Sequence, residues 1–244
     1  MSLAARSTAD ERMDTDCADF DDYARCLADL ARVNLVTRTH QPVLAWLARE
    51  TDFAGLSSFS LLDVACGHGD LLRRIHRWSQ RRGIAATLHG IDLNPWSRRA
   101  AIAATPPDAA IAWHTGDVFA FEPPRPYDFV VSSQFTHHLT DAGIVRFIGW
   151  MERHAARGWF IADLHRHWFP YYGFGLLALA AGWHRFVRYD GRVSIARSFV
   201  PSEWRALVRA AGLEANGGTR GDGNVDIAWH MPFRICLSRR CARA

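Results

Sequence analysis

The chain predicts an α/β doubly wound domain, and three observations carry that prediction. Short apolar runs alternate with amphipathic helical patterns from residue 59 to residue 164. The stretches between the runs are long enough for helices, which implies right-handed crossovers and a parallel sheet covered on both faces. The first run, within LLDVACGHGDLL (61–72), ends in an acid and breaks at two glycines around a histidine. A doubly wound sheet binds its ligand at such a turn, outside the carboxyl ends of its strands.

The elements follow in order. Residues 19–55 read as helical (FDDYARCLADLARVN, then QPVLAWLARE) ahead of the first strand, FSLLDVA (59–65). DLLRRIHRWSQRR (70–82) places Leu71, Leu72, Ile75 and Trp78 on one helical face. AATLHGID (85–92) is a strand, and Asn94-Pro95 opens a helix, since proline suits a first turn. AAIAWHTGD (109–117) is a strand, followed by the breaker-rich EPPRP (122–126). YDFVVSS (127–133) is a strand, DAGIVRFIGWMERHA (141–155) a helix and GWFIADL (158–164) a strand. An aromatic segment, 168–200, precedes a helix in PSEWRALVRAAGL (201–213). VDIAWHMPFRICLSRR (225–240) then reads as a strand, with NGGTRGDGN (216–224) as a hairpin turn before it. No internal repeat or low-complexity linker interrupts the chain.

Composition narrows the function. At 244 residues the chain is long enough for one large domain, or a domain with a small cap, with a sizeable core. Apolar residues at 49% and charged residues at 22% are ordinary globular values, against disorder and against a membrane-embedded protein. The longest apolar stretch, FGLLALAAGW (174–183), is about half of the roughly 20 residues that span a bilayer. The amino-terminal segment lacks the apolar centre of a secretory signal, so a cytoplasmic location is expected. Five scattered cysteines with no C-x-x-C pair read as reduced thiols. All 29 basic residues are arginine. Without lysine, a Walker-type phosphate loop and Schiff-base chemistry are excluded. The arginines are interspersed with acids rather than massed, so neither nucleic acid nor a membrane is expected as a partner.

Gly67 and Gly69 let the backbone turn tightly and approach a ligand. A dinucleotide fingerprint would need a third glycine at position 72, which is leucine. The pattern Asp63, Ala65, Gly67, Gly69 resembles instead the first motif of the Rossmann-like (class I) S-adenosylmethionine-dependent methyltransferases, with Ala65 where that family usually has its first glycine. LHGIDLN ends its strand in Asp92, HTGDVFAF puts Asp117 and Val118 after the third strand, and YDFVVSSQFTHHLTD is similar to the fourth-strand motif. The resemblance spans residues 57–240. It implies a mostly parallel seven-stranded sheet with an antiparallel C-terminal strand, an N-terminal helical lid (1–56), a methyltransferase domain (57–244) and an aromatic substrate-cap insertion (166–200).

The resemblance also implies the cofactor, S-adenosyl-L-methionine, and residues to hold it. Asp63, Ala65, Gly67 and Gly69 would lie beneath its methionine part. Asp92 would accept both ribose hydroxyls, for which a carboxylate offers two oxygens. Leu93, Asp117, Val118 and Ser133 complete that set. The helices of 19–55 would close over it, with Tyr23 a contact.

Methyl transfer is an in-line displacement, so the chain chiefly holds the acceptor close and aligned. A hydroxyl acceptor must also lose a proton, and histidine titrates where a general base should. His137, in a stretch similar to the LHDWSD of phenolic O-methyltransferases, and His165, in DLHRH, are the candidate bases. Phe135, His138, His167, Tyr171 and Tyr172 are the candidate substrate contacts. Asp163, His165 and His167 share the face of an extended segment, as a metal triad would, yet substrate contact at the pocket rim is the expectation and no metal site is assigned. The expected function is O-methylation of a phenolic or polyketide-like metabolite by a monomer or homodimer. The alternatives are C-methylation of a quinone or polyketide-like acceptor, an NAD-dependent oxidoreductase, or a nucleotide-binding module without catalysis.

Overall fold

The computed structural model describes residues 3–216 and 223–241. After a single helical turn, α1 (Arg12–Thr15), two helices, α2 (Phe20–Val36) and α3 (Gln41–Phe53), precede the sheet. Then β1 (Ser58–Val64), α4 (Asp70–Arg81), β2 (Ala85–Asp92), α5 (Pro95–Ala103), β3 (Ile111–Thr115), β4 (Tyr127–Ser133), α6 (Asp141–His154) and β5 (Ala155–Leu164) alternate strand and helix. The aromatic segment is a helical pair, α7 (Trp168–Ala180) and α8 (Arg185–Arg197), leading to α9 (Pro201–Ala210). A two-residue strand, β6 (Ala215–Asn216), is followed by β7 (Val225–His230) and β8 (Arg234–Arg240). Part of the glycine-rich turn expected at 216–224 lies outside the described residues.

Strand order is β3-β2-β1-β4-β5-β8-β7-β6, with β1 through β5 parallel and β8 antiparallel to both β5 and β7. Seven full strands thus form the expected mixed sheet, and the β6 stub adds an edge beside β7. The single strand expected over 225–240 is a hairpin. Pro232 cannot donate to a ladder, and the chain reverses over residues 231–233 before β8 begins.

Side chains on the central strands alternate between two cores, as a pleat requires. Phe59 and Leu61, with Phe129, Val131 and Phe160, meet Trp46, Leu47, Leu72 and Ile75 of α3 and α4. Leu62 and Val64, with Val130, Trp159 and Ile161, meet Phe147, Trp150 and Trp204 of α6 and α9. Sheet burial on both faces explains why β1, β4 and β5 read as continuous apolar runs rather than alternating ones. The two cores hold the strand tips rigid where the loops gather.

Candidate active site

The turn after β1 is left-handed at three places: Ala65 (φ 58°), Gly67 (φ 49°) and Gly69 (φ 73°). A cavity of about 700 Å³ opens at this turn, bordered also by the tips of β2, β3 and β4 and by α2. Asp63, Ala65 and Gly67 border it, and at Gly67 nothing but Leu27, 3.9 Å from a would-be Cβ, stands in the way. Gly69 has a different duty. A Cβ there would sit 2.3 Å from the Trp113 ring, so this glycine admits the indole of β3 and is not among the cavity-lining residues.

Asp92, at the tip of β2, accepts the Gly67 N–H (2.9 Å) on one oxygen and the Asn94 N–H (3.0 Å) on the other. Ser97 also donates to this carboxylate, which has about four lone-pair sites, so acceptor capacity is left for a ligand. Asn94 accepts in turn from Trp96 N–H (2.9 Å), capping α5 behind Pro95. Leu93 borders the rim, and Asp117 and Val118 border the cavity after β3, with Asp117 accepting the Phe119 N–H at 2.9 Å. Ser133 and Gln134 follow β4; Gln134 donates to Asn34 (2.8 Å), and Asn34 donates to Asp70 (3.1 Å).

Besides Asp117, three carboxylates, Asp63, Asp70 and Asp92, face this half of the cavity. Asp70 is matched: burial works against its charge, but His40 at 2.6 Å and Asn34 hold its pKa well below the usual range. Asp63 is not. It is 2% exposed, no hydrogen bond reaches its side chain among the described residues, and burial together with Asp70 and Asp92 pushes its pKa well above the ordinary value. Burial raises Asp92 as well, against the bonds from Asn94, Gly67 and Ser97. Such a pocket is electrostatically suited to a cation, because a positive group would supply the partner that Asp63 lacks. The sulfonium and ammonium of S-adenosylmethionine meet that requirement.

The other end is built by the loop after β4. Thr136 and His137 fold over Asp163, at the end of β5. Asp163 accepts the Thr136 hydroxyl, the His137 N–H (2.9 Å) and His137 Nδ1–H (2.7 Å). On its far side, His137 Nε2 lies 3.4 Å from Oε1 of Glu11, and His138 Nε2 lies 3.8 Å from the same oxygen. Ser194 of α8 donates to Glu11 (2.7 Å). Burial opposes protonation of His137, but Asp163 and Glu11 raise its pKa to about 10. Burial and the neighbouring His137 lower His138 to about 4. Burial opposes the Glu11 charge too, yet His137 and His138 bring it to about 2. Arg6 and Arg197 bind backbone carbonyls of residues 137–139, and Arg197 also binds Ala9 O, so the amino-terminal segment is strapped to this loop.

Of the residues expected from sequence, Asp63, Ala65, Gly67, Asp92, Leu93, Asp117, Val118, Ser133, Phe135, His137 and His138 share this one cavity, as does Tyr23. Gly69, His165, His167, Tyr171 and Tyr172 are not among its lining residues. His165 lies beside His167, and its N–H binds Phe233 O at the β7–β8 turn. His167 caps α7, Tyr171 packs with Ile195 and Ala196, and Tyr172 is exposed. Glu11, Asn34, His40 and Asp70 went unread in the sequence. No spacing rule joins Glu11 to a loop more than a hundred residues away. Asp70 alone carried a signal, as an acid in the first turn of a helix beside the glycine loop.

Residues 61–158 match the family model described as a methyltransferase domain. No curated protein matches the chain. Among solved structures, the plantazolicin methyltransferase BpumL is 14% identical, with 91% of this chain and 97% of that one aligned at a TM-score of 0.62. Magnesium protoporphyrin IX methyltransferase from Synechocystis PCC 6803 is 14% identical over 97% of this chain and all of that one, at 0.56. Human N-acetylserotonin methyltransferase is 14% identical over 92% of this chain but 57% of its own, at 0.60. At such identities the likeness is one of fold, and it agrees with the glycine turn, the acid at the tip of β2 and the matched family model. Residues 61–158 thus match a methyltransferase domain, and the chain shares the class I, Rossmann-like fold of these S-adenosylmethionine-binding methyltransferases.

Proposed function

We propose that this enzyme methylates a hydroxyl oxygen of a small aromatic or polyketide-like molecule. S-adenosylmethionine supplies the methyl group as an electrophile on a sulfonium. The glycine turn would hold its methionine part with Asp63 opposite the positive charge, Asp92 would accept the ribose hydroxyls, and Asp117 with Val118 would border the adenine. The observation that carries the reading is the cluster of Glu11, His137 and His138 in the same cavity as Asp63 and Asp92.

That cluster handles a proton as a unit rather than through one free histidine. His137, with a pKa near 10, already holds a proton between two carboxylates at neutral pH. Glu11 is ionised and borders the cavity. As the new carbon–oxygen bond forms, the acceptor oxygen becomes far more acidic than a carboxylic acid. A weak base therefore suffices for its proton, and the His137–Asp163 pair keeps that base placed and charged. Phe135 gives an apolar wall beside it.

The test is turnover of S-adenosylmethionine to its thioether product with a panel of phenols, in wild type and His137→Gln. The variant should lose about 10²–10⁴-fold in rate with thioether affinity retained. Turnover confined to carbon acceptors, or an unchanged rate in the variant, would overturn the reading.

A further inference from the structure

Glu11, His137 and His138 present one ligand atom each, and these atoms lie within 4.8 Å of one another in a mostly buried corner of the cavity. We propose that they form a binding site for one divalent transition ion of the zinc class, open toward the methyl acceptor.

The His137–Glu11 hydrogen bond is long, and the distances leave room for an ion in its place. A charge-assisted N–H to carboxylate bond closes to about 2.7–2.9 Å, as it does between His137 Nδ1 and Asp163 (2.7 Å). On the other side of the same ring, Nε2 stops 3.4 Å from Glu11 Oε1, and His138 Nε2 stands 3.8 Å from that oxygen. Two ligands each about 2.0–2.2 Å from an ion in tetrahedral geometry are about 3.4 Å apart. The Glu11–His137 spacing is that of two atoms sharing a metal, and His138 closes the set with a small shift of its ring.

Asp163 supplies the second requirement. Histidine ligands to zinc generally donate their other ring N–H to a carboxylate or carbonyl, which fixes the ring and directs the free lone pair to the metal. Asp163 is fully buried, accepts Nδ1–H of His137, and is itself held by Thr136 and by the Leu164 N–H (2.7 Å). Two imidazoles and one carboxylate suit zinc and its neighbours rather than magnesium or calcium. An ion there would replace the Nε2 proton of His137, which passes to water. Three protein ligands leave a coordination position free, where a hydroxyl or carboxylate oxygen of the acceptor fits. The site differs from the Asp163, His165, His167 set suggested by sequence, since His165 and His167 lie apart from this cavity.

The inference rests on this corner being the acceptor end, and its test does not depend on methyl transfer. Tag-free, chelator-stripped full-length chain is titrated with Co(II), and the visible d–d absorption is followed, with Zn(II) as competitor. One tetrahedral or five-coordinate Co(II) per chain, displaced by Zn(II), is expected. Glu11→Gln and His138→Gln should each weaken it at least about tenfold, and Asp163→Asn about 10–100-fold. Binding of the thioether cofactor product, measured by calorimetry, should persist in these variants and reports that they are folded. Absence of a one-to-one Co(II) spectrum in the wild type, or a spectrum and affinity unchanged in both Glu11→Gln and His138→Gln, overturns the site. Chelator-resistant transfer to phenols with no Co(II) site removes the ion and leaves the proposed function standing. An intact Co(II) site in a protein inert toward oxygen acceptors does the reverse.

Discussion

At the scale of single residues, Asp63 and Ala65 define what the turn after β1 demands. Asp63 stays protonated in the free protein to a higher pH than an ordinary aspartate, because burial and its acidic neighbours oppose its charge. A cationic ligand binds its ionised form, so binding releases a proton. Affinity for the thioether product, which keeps the ammonium, should therefore rise with pH through the raised pKa of Asp63. The useful window lies below about pH 7, since an α-amino group itself loses its proton near 7.7–8.0. Calorimetry should show this slope in the wild type and a flatter one in Asp63→Asn; equal slopes would dissociate Asp63 from the cation. The stability of the free protein runs the opposite way: the contribution of Asp63 fades as pH rises above the unfolded carboxylate value. Ala65 stands at φ 58°, a left-handed backbone that favours glycine. A non-glycine residue there costs roughly 1–2 kcal/mol, against about 0.4–1 kcal/mol of added unfolded-state entropy for glycine. Ala65→Gly should raise unfolding free energy by about 0.5–1 kcal/mol, and a urea midpoint that falls instead would mean the methyl group packs to more effect than the strain costs.

At the scale of elements, Arg166 ties three segments that the chain brings together late. Its buried guanidinium donates to Ser198 O (2.7 Å) after α8, to Leu3 O (3.0 Å) in the amino-terminal segment, and to both oxygens of Glu203 (2.7 and 3.0 Å) in α9. Glu203 also accepts the Val200 N–H (3.0 Å), closing the start of its own helix. Arg166→Met would orphan Ser198 O, while half-exposed Glu203 turns to water. The expected loss is about 3 kcal/mol, read from a lowered urea midpoint at an unchanged m-value; a loss under about 1 kcal/mol would show that the three segments are held by packing alone. Residues such as Arg166 explain what was legible in the sequence and what was not. The alternation of β1 through β5 with helices followed from local period, and Pro95, Asn94 and Pro201 marked helix starts within the chain's own neighbourhood. Asp63, Gly67 and Asp92 were readable because a strand tip and its turn are local. Glu11 was not, because its partners His137 and Ser194 come from other elements and nothing in an acidic stretch distinguishes one carboxylate that folds inward. The aromatic run at 168–172 misled for the opposite reason. Its composition suggested a pocket wall, but helical geometry turns Trp168, Phe169 and Tyr172 outward, and Phe169 stacks on Phe233 of the β7–β8 turn.

At the scale of the whole molecule, the cavity is a joint between parts of the chain that have little else in common. Its floor is the tips of the parallel strands, its roof is α2 with Tyr23 bonded to Ser97 of α5 (2.7 Å), and its far end is the strapped amino-terminal segment. Among the described residues no helix is long and apolar enough to cross a membrane. A ligand that fills such a joint stabilises every part that borders it. With no affinity for the unfolded chain, the thioether product at one hundred times its dissociation constant should add about 2.7 kcal/mol. For a domain of this size, 1 kcal/mol raises the melting temperature by about 2–4 °C, so the shift should be about 5–11 °C by scanning calorimetry. NADH at the same excess over that constant should leave the melting temperature unmoved, because Leu72 occupies the position of the third glycine of a dinucleotide loop. A shift with NADH and none with the thioether would assign the strand tips to a different cofactor, and would take the roles of Asp63 and Asp92 with it.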